Sequence, residues 1–341
     1  MRALPKRKIV WLIGALLSAC MLLLMALVTW QAGGLLAGWL ILACLVFYSL
    51  ARGLCSVSAK DVLGKTISKT RRGRLMGYSA SLAGLATLAI GLLLQSDLIA
   101  RDNLQVLLVF IVIAGLLWFL AFAAFALIVE PAGATEGGGN ALNEALRSLR
   151  LLIDDRAFQH YVISRVLLLS VALVIPFYVI LLQQQLQGQL ALLGWLIIAN
   201  GLASSLSAPL LGRLADRSSR NVMAGAALLA GIVGVLTWYV SRYHADWHLG
   251  ISGGVGVFFL ITLAHGAARL GRKVYLVDMA NTANRARYVA VSNTVIGIAM
   301  LSGGVIGIIA DIYDVQTVIL ILSLIALLAS AYIRRLADVS G

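Results

Sequence analysis

The charged residues of this sequence fall in a few clusters whose spacing suits reversible ion pairing. One cluster reads Gly212-Arg-Leu-Ala-Asp216-Arg217-Ser-Ser-Arg220. Its carboxylate and guanidinium groups are either solvated loop charges or a latch that grips a neighbouring helix end. A second cluster places Arg52 nine residues before Asp61 and continues to Arg71, Arg72, Gly73 and Arg74. A third places Arg269 nine residues before Asp278 and continues to Arg285 and Arg287. Arg52 with Asp61, and Arg269 with Asp278, read as further pairs of the same kind. Pairs that break and re-form suit a protein with two states separated by a few kcal/mol.

A second group of residues has types that line cavities. Asn200 falls about ten residues into an apolar run, which is about 15 Å at the helical rise and near a bilayer midplane. It makes either an interhelical hydrogen bond or a contact with a solute. Arg165 either snorkels to a membrane surface or meets an anionic solute. Pro176, Phe177 and Tyr178 place a kink beside either a cavity or ordinary packing. His265 reads as hydrogen-bonded structure. All 14 acidic residues fall outside the middles of the apolar runs, so no intramembrane carboxylate relay is visible. Cys20, Cys44 and Cys55 lack CxxC spacing and a neighbouring histidine, and read as small buried hydrophobes. Phosphate-loop, HExxH and GxSxG patterns are absent. No enzyme activity, metal or cofactor is expected.

The elements that hold these residues follow from composition. The 341 residues are 61% apolar and 12% charged, against about 25% charged in a soluble domain. Twelve per cent cannot cover a water-soluble surface, which excludes a cytosolic enzyme, a disulfide scaffold and a disordered chain. Runs of about 20 apolar residues span a bilayer. The sequence predicts ten such helices: Ile9–Trp30, Gly34–Val57, Leu75–Gln95, Leu104–Val129, Tyr161–Leu182, Leu190–Leu211, Val222–Val240, Leu249–Leu270, Tyr288–Ala310 and Val315–Ile333. Abundant glycine and scarce proline favour packed helices over barrel strands.

Twenty-three of the 27 Lys and Arg fall at the two termini or in alternate connections, while Arg101 and Arg242 alone fall on the other side. This bias puts both termini in the cytoplasm. It also accounts for the net charge of +13 without a nucleic-acid partner. The longest connection, residues 131–160, opens on a Gly-rich linker and continues as an amphipathic stretch. Leu142, Ala145, Leu146, Leu149, Leu152 and Ile153 share its apolar face, which is expected to rest on the membrane surface. The Arg52 and Arg269 clusters recur after six helices on the same side, which makes a parallel repeat. Inverted five-helix repeats would put them on opposite sides.

The Gly212–Arg220 stretch resembles the signature loop of the major facilitator superfamily, Gly-x-Leu-Ala-Asp-Arg-x-Gly-Arg-Arg. It also joins the second and third helices of a six-helix half, as in that family. Ser219 replaces a glycine and Asn221 a basic residue. Arg52 and Arg71-Arg72-Gly73 resemble the family's charges around its fourth and fifth helices. The resemblance therefore implies an all-α polytopic protein in an incomplete four-plus-six arrangement that lacks the family's first two helices. Such a chain is expected to be a fragment, a late-called start or a reduced relative. The implied domains are residues 1–130, a linker at 131–160 and a six-helix half at 161–341. The implied function is transport of a small solute, with or without a coupling ion, by alternating access in the inner or plasma membrane. No obligate protein partner is expected. The alternative is a non-transporting relic or membrane scaffold.

Overall fold

A computed structural model describes residues 5–31, 34–95, 104–132, 150–185, 190–243, 250–281, 284–301 and 303–339. Among these, every regular element is a helix: α1 (Lys8–Gln31), α2 (Gly34–Thr66), α3 (Lys69–Gln95), α4 (Leu104–Ala126), α5 (Leu151–Asp154), α6 (Arg156–Leu167), α7 (Leu169–Leu173), α8 (Ile175–Gln185), α9 (Leu190–Tyr243), α10 (Gly250–Met279), α11 (Arg285–Leu301), α12 (Gly303–Ile312) and α13 (Val315–Ile333). Nine helical segments in the described residues are long and apolar enough to cross a membrane. One of them, α9, has 54 residues and leaves helical geometry at Ser218 (φ −158°, ψ 96°). At 1.5 Å per residue it is more than twice the roughly 30 Å of a hydrocarbon core. It therefore supplies two crossings, and the chain is a multi-pass α-helical membrane protein with about ten.

The helices overrun the apolar segments that identify them. The connection expected between residues 57 and 75 is almost wholly helical, because α2 continues to Thr66 and α3 starts at Lys69. The connection expected after Leu270 is likewise helical to Met279. The Gly212–Arg220 stretch is helix on both sides of Ser218 rather than loop. Lys, Arg, Ala and Leu are strong helix formers. Hydropathy marks where lipid ends, and the backbone ladder continues beyond it. Near Pro176 the helix is interrupted at Val174, between α7 and α8, although Val174 itself keeps helical dihedrals (φ −74°, ψ −24°). Proline supplies no N–H there and crowds the preceding turn. The amphipathic stretch from Leu142 falls mainly on residues 133–149, outside the described residues, and only the single turn α5 follows it.

The chain forms two compact units that do not follow chain order. The smaller takes in residues 1–68, 97–141 and 280–290, and the larger takes in 69–96, 142–279 and 291–341. In the smaller unit α1 packs on α2 and on α4. Gly14 is what lets α1 approach Ala51 and Cys55, and Gly115 meets Leu23. The Trp11 ring stacks on Phe125 at 3.8 Å between centroids. Leu35, Trp39, Phe47, Leu50 and Leu120 stay exposed, which is costly in water and favourable in lipid.

In the larger unit α3 lies along the first arm of α9, and α9 also packs on α10 and α13. The α3–α9 contact runs through small residues. Cβ atoms added at Gly73, Gly77 and Gly84 would collide with Gly212, Ala208 and Ser205 respectively, and one at Gly201 would collide with Leu88. Close backbone approach of this kind takes the place of a hydrophobic drive between helices in lipid. Gly77→Val should therefore force α3 off α9 and destabilise the fold by about 1–3 kcal/mol, the range for overpacking. Gly38→Ala, where a Cβ meets nothing within 4 Å, should be neutral. Unfolding by SDS titration in mixed micelles compares the two, and equal stability would show that the glycine contact is dispensable.

Candidate functional site

Asp216 sits where α3 meets α9. Its carboxylate accepts hydrogen bonds from the Gly73 amide at 2.5 Å, the Arg74 amide at 3.0 Å and Arg74 Nε at 3.3 Å. The Asp216 side chain is 8% exposed and that of Arg74 48%. The backbone amides therefore form the sheltered part of the grip, and Arg74 covers it from solvent. Gly73 is needed here because a side chain would strike both the Gly212 carbonyl and the Asp216 carboxylate. Arg217 is exposed. The sequence places Asp216 and Arg74 in separate charge clusters and does not show that they pair. The signal for Arg74 was its place beside the glycine of a basic turn.

A second tie lies in the same unit. Arg72 Nη1 pairs with Asp278 Oδ1 at 2.6 Å, with side chains 5% and 1% exposed. This corrects the expected pairing of Asp278 with Arg269, which is exposed. It joins the second and third charge clusters, 206 residues apart in sequence. The basic start of α3 thus holds α10 here, as it holds α9 at Asp216.

The expected Arg52–Asp61 pair is also absent. Both residues lie on α2, where nine residues at 100° each put them on opposite faces. Arg52 instead stands over the Trp118 ring, 5.9 Å from its centroid. Asp61 pairs with Lys65 at 2.8 Å, and Lys65 reaches Glu130 at 2.8 Å. Buried Arg285 places its guanidinium against Gly64 and donates to the Ala280 carbonyl at 3.2 Å. Arg287 is half-buried and Arg71 exposed.

Glu130, the last residue of the first implied domain, also accepts from the Arg7 and Lys8 amides at 3.0 and 2.7 Å. Burial works to raise its carboxyl, but the hydrogen bonds from Lys65, Lys8 and Arg7 and the Lys65 charge outweigh it. The net effect is a carboxyl held below its ordinary 4.5. A group depressed on folding stabilises the fold above its unfolded value and loses that contribution as pH falls through the folded one. Glu130→Gln should therefore lower the unfolding midpoint at pH 7. The deficit should shrink as pH falls below about 4.5. A deficit that stays constant with pH would assign Glu130 no electrostatic role.

Arg220 turns to the other end of the chain. It donates to the Leu336 carbonyl at 3.0 Å and approaches Asp338 at 3.6 Å. Ser218, at the break in α9, donates to Asp338 at 2.6 Å.

The expected cavity residues are dispersed. Tyr178 is fully buried and Asn200 exposed, while Phe177 is half-buried. Among the described residues, no hydrogen bond or ion pair joins them to one another or to Arg165. Arg165 does not snorkel. It is 7% exposed, stands over the Tyr161 ring at 5.9 Å and donates to Ser292 and, at 3.4 Å, to Asn293. Among the described residues, no group of three metal-ligating side chains forms.

Residues 161–339 match the family model described as Major Facilitator Superfamily. No curated protein sequence matches the chain. The fold is similar to a crystal structure of a variant of the E. coli fucose:proton symporter FucP, with TM-score 0.68, 14% identity, and coverage of 99% of this chain and 88% of that one. It is also similar to the human organic anion transporter MFSD10, with TM-score 0.60, 14% identity, and coverage of 96% and 81%. A structure of FucP in its outward conformation matches with TM-score 0.60, 14% identity and coverage of 98% and 86%.

Proposed function

The chain belongs to the Major Facilitator Superfamily and is a membrane transporter, and from that premise we propose that it moves a small solute by alternating access. In this reading residues 1–130 and 161–341 are its two halves, joined by the 131–160 linker. Both termini are cytoplasmic in the inner or plasma membrane, as the Lys and Arg bias favours. Asp216 with Gly73 and Arg74, and Arg72 with Asp278, are the latch that holds one state. Arg220 ties α9 to Leu336 and Asp338 within the same unit. The single observation that carries this reading is the pair of ties at Asp216 and Asp278. Each joins α3, before the linker, to a helix after it, with polar groups that can separate without emptying an apolar core.

The test is uptake into proteoliposomes of radiolabelled L-fucose and of benzoate, which represent the solute classes named for the two structural neighbours. Saturable uptake of either that falls with Asp216→Asn at equal protein density supports the reading. No saturable uptake of either by correctly inserted protein overturns it in favour of a membrane scaffold.

A further inference from the structure

Within the larger unit, α6, α10 and α11 bring a set of cationic and polar side chains together with no carboxylate among them. Arg165 lies on α6, His265, Arg269 and Arg272 on α10, and Ser292 and Asn293 on α11. Tyr161 links the first two helices. Its hydroxyl donates to the Arg272 carbonyl at 2.8 Å, and its ring carries the Arg165 guanidinium. Arg165, Arg269 and Tyr161 act electrostatically on Arg272, and Arg269 and Arg272 act on His265. Arg165 is more than nine-tenths buried, yet its Nε–H has no acceptor. Its other donors reach only a neutral hydroxyl and a neutral amide, the latter at 3.4–3.5 Å.

Two other buried cations among the described residues sit against carboxylates. Arg72 has Asp278, and Lys65 has both Asp61 and Glu130. A buried guanidinium without a counter-charge is unfavourable. Here several cations share one low-dielectric region, and their mutual repulsion adds to that. Exposure rises outward from buried Arg165 through half-buried Arg272, His265 and Asn293 to exposed Arg269. Arg165 is thus the innermost of the cations and Arg269 the outermost. A guanidinium fork matches a carboxylate or phosphonate oxygen pair geometrically.

We propose that Arg165 and Arg272, with Ser292 and Asn293, form a binding site for a small organic anion that bears a carboxylate or phosphonate group. The site rests on the transporter reading for its purpose, since it names the class of solute carried. Arg165 supplies the buried anchor and Arg272 the outer contact. Ser292 and Asn293 accept from the two terminal nitrogens of the anchor, Nη1 and Nη2, and leave Nε free for the ligand.

The experiment is equilibrium thermal stabilisation of the purified full-length protein in detergent, at constant ionic strength. The probes are benzoate and phenylphosphonate, with benzamide as the neutral match. Saturable stabilisation by either anion and none by benzamide is expected. Arg165→Gln should weaken it at least tenfold, and Arg165→Lys should keep part of it. Arg272→Gln removes a half-buried charge without emptying the core. It should weaken binding severalfold and serves where the Arg165 variant does not fold. Failure of both anions to stabilise the wild-type protein, or equal stabilisation of wild type and the glutamine variants, overturns the site. Binding is read without flux, so the two readings fail separately. Anion binding with no uptake removes the transporter reading and keeps the site. Fucose uptake that is unchanged in Arg165→Gln, with no anion binding, does the reverse.

Discussion

Replacing Asp278 by asparagine is expected to destabilise the protein by about 3–5 kcal/mol, the cost of breaking a buried ion pair on one side. The carboxylate that faces Arg72 at 2.6 Å is lost, while the guanidinium stays 5% exposed. Arg72→Gln should also destabilise, because it takes the guanidinium at 2.6 Å away from a carboxylate that is 1% exposed. The double variant, Arg72→Gln with Asp278→Asn, should recover much of the loss. It buries two neutral amides able to bond each other, and neither carries an ionic desolvation penalty. Unfolding by SDS titration of the four proteins gives the coupling directly. Additive losses would mean that the two side chains are neighbours without being partners, and the tie between α3 and α10 would then rest on other contacts.

That pair also shows where the sequence was legible and where it was not. The crossings could be read, because about 20 apolar residues have no stable alternative to a helix in lipid. So could the importance of Asp216 and of the basic turn around Gly73. The pairings could not. Arg-to-Asp spacings of nine residues suit partners only where a loop separates them. Once α2 and α10 are continuous through the charged segments, the same spacing puts Arg52 and Asp61, and Arg269 and Asp278, on opposite faces of one helix. Each must then find a partner on another element, and which element lies alongside is set by tertiary packing. The glycines of α3 make that choice, because they bring α3 against α9 with Arg72, Gly73 and Arg74 at its charged end. Arg165 was legible as a charge out of place. Its lack of a counter-charge emerged only when α6, α10 and α11 were seen together.

The latch at Asp216 gives the second large effect, and its internal proportions are the test. Asp216→Asn removes a charge that holds two backbone amides and one guanidinium nitrogen. The neutral amide offers one acceptor oxygen where the carboxylate offered two, and hydrogen bonds to charged groups are roughly twice as strong as neutral ones. If the tie biases a two-state equilibrium by about 1–3 kcal/mol, its loss shifts populations about 5- to 150-fold. Arg74→Gln should shift them far less. That side chain is 48% exposed, and solvent-exposed pairs contribute about 0–1 kcal/mol, while the two amides would still hold the carboxylate. The readout is alkylation of Ser81→Cys by a membrane-impermeant maleimide in a background where Cys20, Cys44 and Cys55 are replaced by alanine. Half-buried Ser81 donates to the Ser205 carbonyl across the α3–α9 contact, so its labelling speeds up when that contact opens. The Asp216 variant should label at least fivefold faster than its parent and the Arg74 variant less than threefold faster. Equal labelling in all three proteins would make Asp216 a static brace. A larger effect from Arg74 would place the latch in the exposed ion pair rather than in the backbone amides of α3.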